Sequence, residues 1–304
     1  MNNPDSAGFE AYRPLLLSIA YRMLGSATEA EDMVQDAYVR YQGTEPETIT
    51  APKAYLSKIV TRLCLDHLQS AQVQRETYLG PWLPEPVLTE SGEWFAPAQQ
   101  AELHDSLSIA FLTLLEDLTP LERAVFLLHD VFDYQYAEIA EMVGREEAAC
   151  RQLCSRAKKH LAEHRPRFKP SQEAHRQMLN QFIQATSTGE LEGLMQLLSE
   201  DVVLSTDGGG KARGAALHPV YGREAVAKFV LASPRLLMTS FQIELAEVND
   251  EPALMIRDGS SVRAVITIAV DGDQVSEIRV MGNPDKLKWV NGNHPDNDNG
   301  AAKS

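Results

Sequence analysis

Cysteine is scarce: Cys64, Cys150 and Cys154 are the only three in 304 residues. Their odd number, and their positions inside helical patterns, speak against a disulfide framework and for a reducing compartment. Cys150 and Cys154 share one helical face, which would suit a metal or a redox sensor. No second pair stands nearby at zinc-site spacing, so buried small side chains are the expected role, with no metal and no cofactor. Long apolar runs are missing as well, none approaching the ~18 residues of a membrane span. The opening stretch MNNPDSAGFEAYRPLL lacks a basic start, an apolar core and a cleavage site. A cytoplasmic protein with no membrane partner is therefore expected. Basic residues are few, 28 Lys and Arg against 43 Asp and Glu for a net charge of -15. Taken globally, that balance opposes binding to phosphate backbones.

What is present changes the picture locally. Between Arg145 and Lys169 eight basic residues face three glutamates, whereas residues 81–144 carry twelve acidic side chains and only Arg123. Such asymmetry fits a DNA reader that binds poorly alone. The apolar fraction of 44% and charged fraction of 23% are those of an ordinary soluble chain. Its length allows more than one hydrophobic core.

Periodicity divides the chain. Thr28 and Glu31 form a candidate capping box, followed by Ala30, Met33, Val34, Ala37, Tyr38 and Tyr41 on one helical stripe. Pro52 opens a further helix that buries Leu56, Ile59, Val60, Leu63 and Cys64 and leaves Lys58, Thr61 and Arg62 on another face. Residues 78–98 contain four prolines and two glycines and read as a partly extended linker. Helical pattern resumes near Gln99 and is interrupted at Thr119-Pro120, an N-cap followed by a first-turn proline. Beyond Pro170 come an amphipathic helix (Met178, Leu179, Phe182, Ile183) and alternating β-branched runs around the turn signal Asp271-Gly272. The closing NGNHPDNDNGAAKS is polar and is expected to be disordered. The expected boundaries are 1–76 and 99–168 for two all-α domains joined by a Pro-rich linker at 77–98. An α+β domain at 169–290 and a tail at 291–304 follow.

Within the second helical domain, YAEIAEMVGREEAACRQLCSRAKKHL has the grammar of a helix-turn-helix centred on Gly144. In its longer helix Cys150, Leu153, Cys154, Ala157 and Leu161 bury one side. Gln152, Ser155, Arg156 and Lys159 share the other, with Arg151 adjoining. Arg and Gln suit bidentate bonds to guanine and adenine in the major groove. Lys158, Lys159 and Arg165 suit phosphates. A solvated basic face on an ordinary helix pair is the plainer alternative.

Together these segments resemble the sigma factors of the extracytoplasmic-function group. The resemblance covers residues 9–165 and rests on AYRMLGSATEAEDMVQDAYVRY, KAYLSKIVTRLCLDHL and LTPLERAVFLLHDVFDYQYAEIAEMVG with the basic helix behind it. It implies a sigma region 2, a sigma region 4 with the helix-turn-helix, and core RNA polymerase and promoter DNA as partners. It further implies that Asp32, Gln35, Asp36 and Arg40 dock on the β′ clamp helices, and that the β flap is also contacted. Lys58, Thr61 and Arg62 would then read the minus-ten element, and Arg151, Gln152, Ser155, Arg156, Lys158 and Lys159 the minus-thirty-five element. His67 and Gln69 depart from the arginines common at those places.

Three further motifs resemble the signature of the subgroup carrying a fused SnoaL-like cone domain. They are WLPEP (Trp82, Leu83, Pro84, Glu85, Pro86), DGGGK (Asp207, Gly208, Gly209, Gly210, Lys211) and NPDKL (Asn283, Pro284, Asp285, Lys286, Leu287). The resemblance implies that this domain regulates the sigma domains by intramolecular contact. On chemistry alone, the glycines of DGGGK admit positive φ and close approach, and Lys211 can reach an acceptor, so a docking loop for the linker is preferred. P-loop spacing is absent. Cone folds also house isomerases and cyclases, for which Asp207 and His218 are the visible proton-transfer groups. The expectation is a non-enzymatic sigma factor. An effector-binding repressor or activator, and an enzyme with a helical arm, are the competing readings.

Overall fold

The computed structural model describes residues 8–45, 49–75, 78–89, 106–164, 171–232 and 241–292. The expected helical start near Gln99 and the tail beyond Gly292 lie outside these residues. Two compact units divide the chain, one of residues 1–76 with 91–165, the other of 77–90 with 166–304.

The first unit is helical: α1 (Arg13–Leu24), α2 (Ala27–Gln42), α3 (Pro52–Arg75), α4 (Ile109–Leu115), α5 (Pro120–Phe126), α6 (Tyr136–Val143) and α7 (Glu147–His164). A five-residue π-turn, Leu127–Val131, continues directly from α5. Ala30, Val34 and Ala37 of α2 are buried as the periodicity requires, and Phe9 packs its ring 4.9 Å from that of Tyr38. The capping residue differs from expectation. Ser26 rather than Thr28 caps α2, its hydroxyl accepting from the Glu29 amide at 3.1 Å, while Glu31 pairs with Arg13 at 2.7 Å. The helix begins one turn earlier than its apolar stripe suggests, because Ala27 is itself buried. Thr119 and Glu122 do form a capping box before Pro120.

Several buried polar contacts join the halves of this unit, two of them especially tight. Arg123, almost wholly buried, donates to the Met23 carbonyl and to Glu116, each at 2.7 Å. Burial pulls its pKa down to about 10. The hydroxyls of Ser57 and Tyr134 meet at 2.7 Å. Each leaves a buried polar group orphaned if its partner is removed, which gives the packing a specific register.

The second unit is α+β: α8 (Gln172–Thr188), α9 (Leu191–Leu197), β1 (Leu198–Asp207), β2 (Val220–Tyr221), α10 (Arg223–Ala232), β3 (Gln242–Val248), β4 (Glu251–Asp258), β5 (Ser261–Asp271) and β6 (Gln274–Met281). The sheet order is β2-β1-β6-β5-β4-β3, with β1 and β6 parallel and the other pairs antiparallel. Register irregularities in β1, β4 and β5 are where a sheet bends into a cone. This is the α+β class expected of the C-terminal part, with one six-stranded sheet. Met178, Leu179, Phe182, Leu194, Val226 and Val230 pack from the helices onto one face, against Leu254, Ile256, Ile266, Ile268 and Ile278. The other face is also covered. Ala253, Met255, Val262 and Val265 are closed over by Leu83, Leu287 and Val290. Residues of β4 are consequently buried on both sides from Pro252 to Ile256, which hides the alternation that would have announced the strand.

Leu83 belongs to the segment read from sequence as linker. Residues 78–89 are an integral part of the second unit rather than a free spacer.

Candidate nucleic-acid interface and connector clasp

The clasp is built on Asp207, the last residue of β1 and fully buried. Four donors converge on its carboxylate. Oδ1 accepts from the Tyr78 hydroxyl and from the Gly209 amide at 3.1 Å; Oδ2 accepts from the Leu83 amide at 2.9 Å and the Lys286 ammonium at 2.8 Å. Lys286 also donates to the Leu83 carbonyl at 2.6 Å and lies over the Trp82 ring, 3.8 Å from its centroid, and the Tyr78 ring at 5.0 Å. Asn283 donates to the Tyr78 hydroxyl at 2.8 Å. Burial, and then the bond to Asp207, push the Tyr78 phenol up from its ordinary pKa.

The three motifs thus meet at one point. WLPEP supplies the bound segment, with Leu83, Pro84, Glu85 and Pro86 buried, and DGGGK and NPDKL supply the grip. Gly209 and Gly210 have positive φ of 55° and 70°, and a Cβ at either would strike a neighbour: Asn283 Nδ2 of NPDKL at 2.3 Å for the first, and Leu79 Cδ1, just before WLPEP, at 2.8 Å for the second. Lys211 reaches its acceptor, Asp285, in an exposed ion pair. Leu287 and Trp289 are buried and anchor the chain after the turn. Sequence reading missed the rest of the clasp. The Val87 amide donates to the Asn249 side-chain Oδ1 at 3.0 Å, the Val87 carbonyl accepts from the Asn249 amide at 2.9 Å, and Thr89 donates its amide to the Glu247 carbonyl. The Asn249-Asp250 pair, both at positive φ in the β3–β4 turn, was the available signal.

A cavity of about 60 Å³ lies behind the clasp, lined mainly by apolar residues such as Leu204, Phe229, Ile256, Ala264 and Ile266. Neither proton-transfer candidate serves it. Both oxygens of Asp207 are engaged by protein donors, and His218 is exposed in the loop before β2.

In the helical unit the turn at Gly144 is left-handed, φ 66°, and delivers α7 with Arg151, Gln152, Ser155, Arg156, Lys158 and Lys159 all exposed. Cys150, Cys154, Ala157 and Leu161 are buried beneath, while Leu153 is half-buried. Arg151 pairs with Glu147 and lies 4.7 Å from the Tyr136 ring centroid; Lys158 pairs with Asp130 at 2.6 Å. On α2, Asp32, Gln35, Asp36 and Arg40 share an exposed face. Partial burial and the neighbouring Asp36 and Glu29 raise the Asp32 pKa.

The minus-ten trio is not brought together as expected. Thr61 is fully buried, its hydroxyl facing inward without a hydrogen-bond partner. Arg62 is turned onto the C-terminal end of α6, donating to the carbonyls of Met142 at 2.9 Å and Glu141 at 3.0 Å. Lys58 is half-buried. For Arg62 the reason is packing of α3 against α6, a tertiary contact that helical periodicity in α3 cannot show.

Residues 9–73 match Sigma-70 region 2 and residues 108–161 match Sigma-70 region 4. Over 92% of this chain and 92% of the relative, the sequence is 37% identical to the ECF RNA polymerase sigma factor SigJ of Mycobacterium tuberculosis. The chain belongs to the extracytoplasmic-function (ECF) sigma factors. A probable ECF sigma factor, SigI of Mycobacterium tuberculosis, is 30% identical, covering 94% of this chain and 96% of its own. The crystal structure of Mycobacterium tuberculosis SigJ matches with a TM-score of 0.73 at 34% identity, covering 93% of this chain and 98% of that one. As an ECF sigma factor the protein is a transcription initiation factor that binds core RNA polymerase and promoter DNA, not an enzyme. Among its described residues no helix is long and apolar enough to cross a membrane.

Proposed function

We propose that this ECF sigma factor is restrained by its own C-terminal domain through the clasped connector. The observation that carries this reading is the Asp207–Lys286 grip on the Leu83 backbone, which holds the segment joining region 2 to region 4. Fixing residues 78–89 removes that length from the tether between the two promoter-reading halves, and a shorter tether narrows the separations they can span. Release of the clasp lengthens it.

The exposed face of α7 is the minus-thirty-five reader: Gln152, Ser155 and Arg156 reach base edges, and Lys158 and Lys159 hold phosphates. Asp32, Gln35, Asp36 and Arg40 dock on the β′ clamp helices, and region 4 on the β flap. Minus-ten reading falls to Lys58 and Arg62, the latter only once it leaves the end of α6. The packed helical unit is therefore the resting form, and polymerase binding opens it. The acidic balance of -15 makes binding to free DNA weak, which fits dependence on the core enzyme.

Run-off transcription with core polymerase tests this. The wild-type protein should support promoter-specific transcripts, Arg156→Ala should lose most of the signal, and Lys286→Ala should change the yield at equal protein concentration. Unchanged yield from a Lys286→Ala protein whose connector is demonstrably released would refute the restraint.

A further inference from the structure

The geometry points to a binding site for a zinc-class divalent ion in region 4, formed by His129, Asp130 and Cys154. Among the described residues these three place one ligand atom each within 4.8 Å of one another. His129 Nδ1 lies 3.5 Å from Asp130 Oδ2, and Cys154 Sγ lies 3.2 Å from the same oxygen. The bond lengths of a tetrahedral zinc centre imply donor separations of ~3.3–3.6 Å. Two of the three pairs already stand close to that spacing.

His129 Nδ1 is a buried nitrogen with no hydrogen-bond partner, which is a cost to the fold unless something else meets it. Its ring is set in place by Tyr136, stacked at 4.1 Å between centroids. Lys158 holds the second oxygen of Asp130 at 2.6 Å. These partners leave one face of each donor directed at the others and act as an outer shell that fixes ligand orientation. The π-turn is what makes the cluster: its wider winding carries His129 and Asp130 onto α7 opposite Cys154. Histidine, thiolate and a single carboxylate oxygen are the donor set of zinc or cobalt(II) rather than of calcium or magnesium. The fourth position belongs to water. Binding replaces the Cys154 thiol proton, which leaves to solvent, and the thiolate and carboxylate neutralise the dication.

Cys154 is on the buried side of the helix whose outer side carries Arg151, Ser155 and Lys158, so an ion here would pin that helix to the π-turn. This coupling rests on the reading of α7 as the minus-thirty-five helix; the site itself does not.

The test uses the full-length protein, stripped with chelator and titrated with cobalt(II), and reads thiolate-to-cobalt charge-transfer absorption, followed by displacement with zinc. One equivalent of cobalt should produce the band and zinc should abolish it. His129→Gln and Asp130→Ala, both at half-buried positions that leave the core intact, should each weaken binding at least about 10-fold. Cys150→Ala should retain the band. Absence of thiolate–cobalt absorption in the wild-type protein, or a band that persists with unchanged affinity in both His129→Gln and Asp130→Ala, overturns the assignment.

Discussion

Lys286 holds its ammonium 2.8 Å from the Asp207 carboxylate, with the Asp207 side chain fully buried and that of Lys286 nearly so. The pair spans 79 residues, and between its two charges it grips the backbone of a third segment at Leu83. Removing one member of such a pair strands the other and costs about 3–5 kcal/mol. Asp207→Ala should lower the melting temperature of the C-terminal unit and expose residues 78–89 to protease. Asp207→Ala together with Lys286→Met should recover part of that stability, since no buried charge is then left alone. Thermal unfolding of the single and double variants measures the difference.

Gly209 predicts a sharper contrast. Its φ is 55° and a Cβ there would overlap Asn283 Nδ2, whereas Gly214, at φ 82°, has nothing within 4 Å. Gly214→Ala should cost only the ~1–2 kcal/mol of a left-handed alanine. Gly209→Ala should cost more and should release the connector, because it displaces the side chain that holds Tyr78. Denaturant titration of both variants, with proteolysis at 78–89 as the second readout, separates strain from loss of the clasp.

Arginines at two places in the helical unit should differ in what their loss does to stability. Arg156 is exposed on α7, so Arg156→Ala should leave stability within about 0.5 kcal/mol while run-off transcription falls roughly 10-fold or more. Arg62 caps the end of α6, where a cation also meets the negative end of the helix. Arg62→Ala should therefore lower the melting temperature of the helical unit by an amount equivalent to about 1 kcal/mol as well as impair promoter opening. Equal melting temperatures for wild type and Arg62→Ala would contradict the capping role.

The clasp should loosen at alkaline pH. Tyr78 keeps its proton in the docked state above its ordinary value, because burial and the bond to Asp207 both disfavour phenolate. Docking is at full strength below the ordinary tyrosine pKa of about 10, and weakens as pH rises past it, since the released segment ionises first. Protease sensitivity of residues 78–89 should rise over that range. Tyr78→Phe should remove this component of the pH dependence while leaving the Lys286 grip.

Local pattern determined a good deal here. The helices of both promoter-reading regions, the Gly144 turn, the exposed face of α7 and the β5–β6 hairpin follow from spacing, because an amphipathic helix or hairpin writes its period into adjacent residues. Even the preference for DGGGK as a docking loop could be read from glycine chemistry. Four things could not. β4 is buried on both faces and shows no alternation, Thr61 is buried, Arg62 bonds the end of α6, and the first half of the apparent linker is core. The Tyr78, Leu83 and Lys286 donors to Asp207, and the meeting of His129 and Asp130 with Cys154, likewise join separate segments of the chain. Periodicity reports which side of an element is apolar; only tertiary structure decides what covers that side, and which distant polar groups are left facing one another.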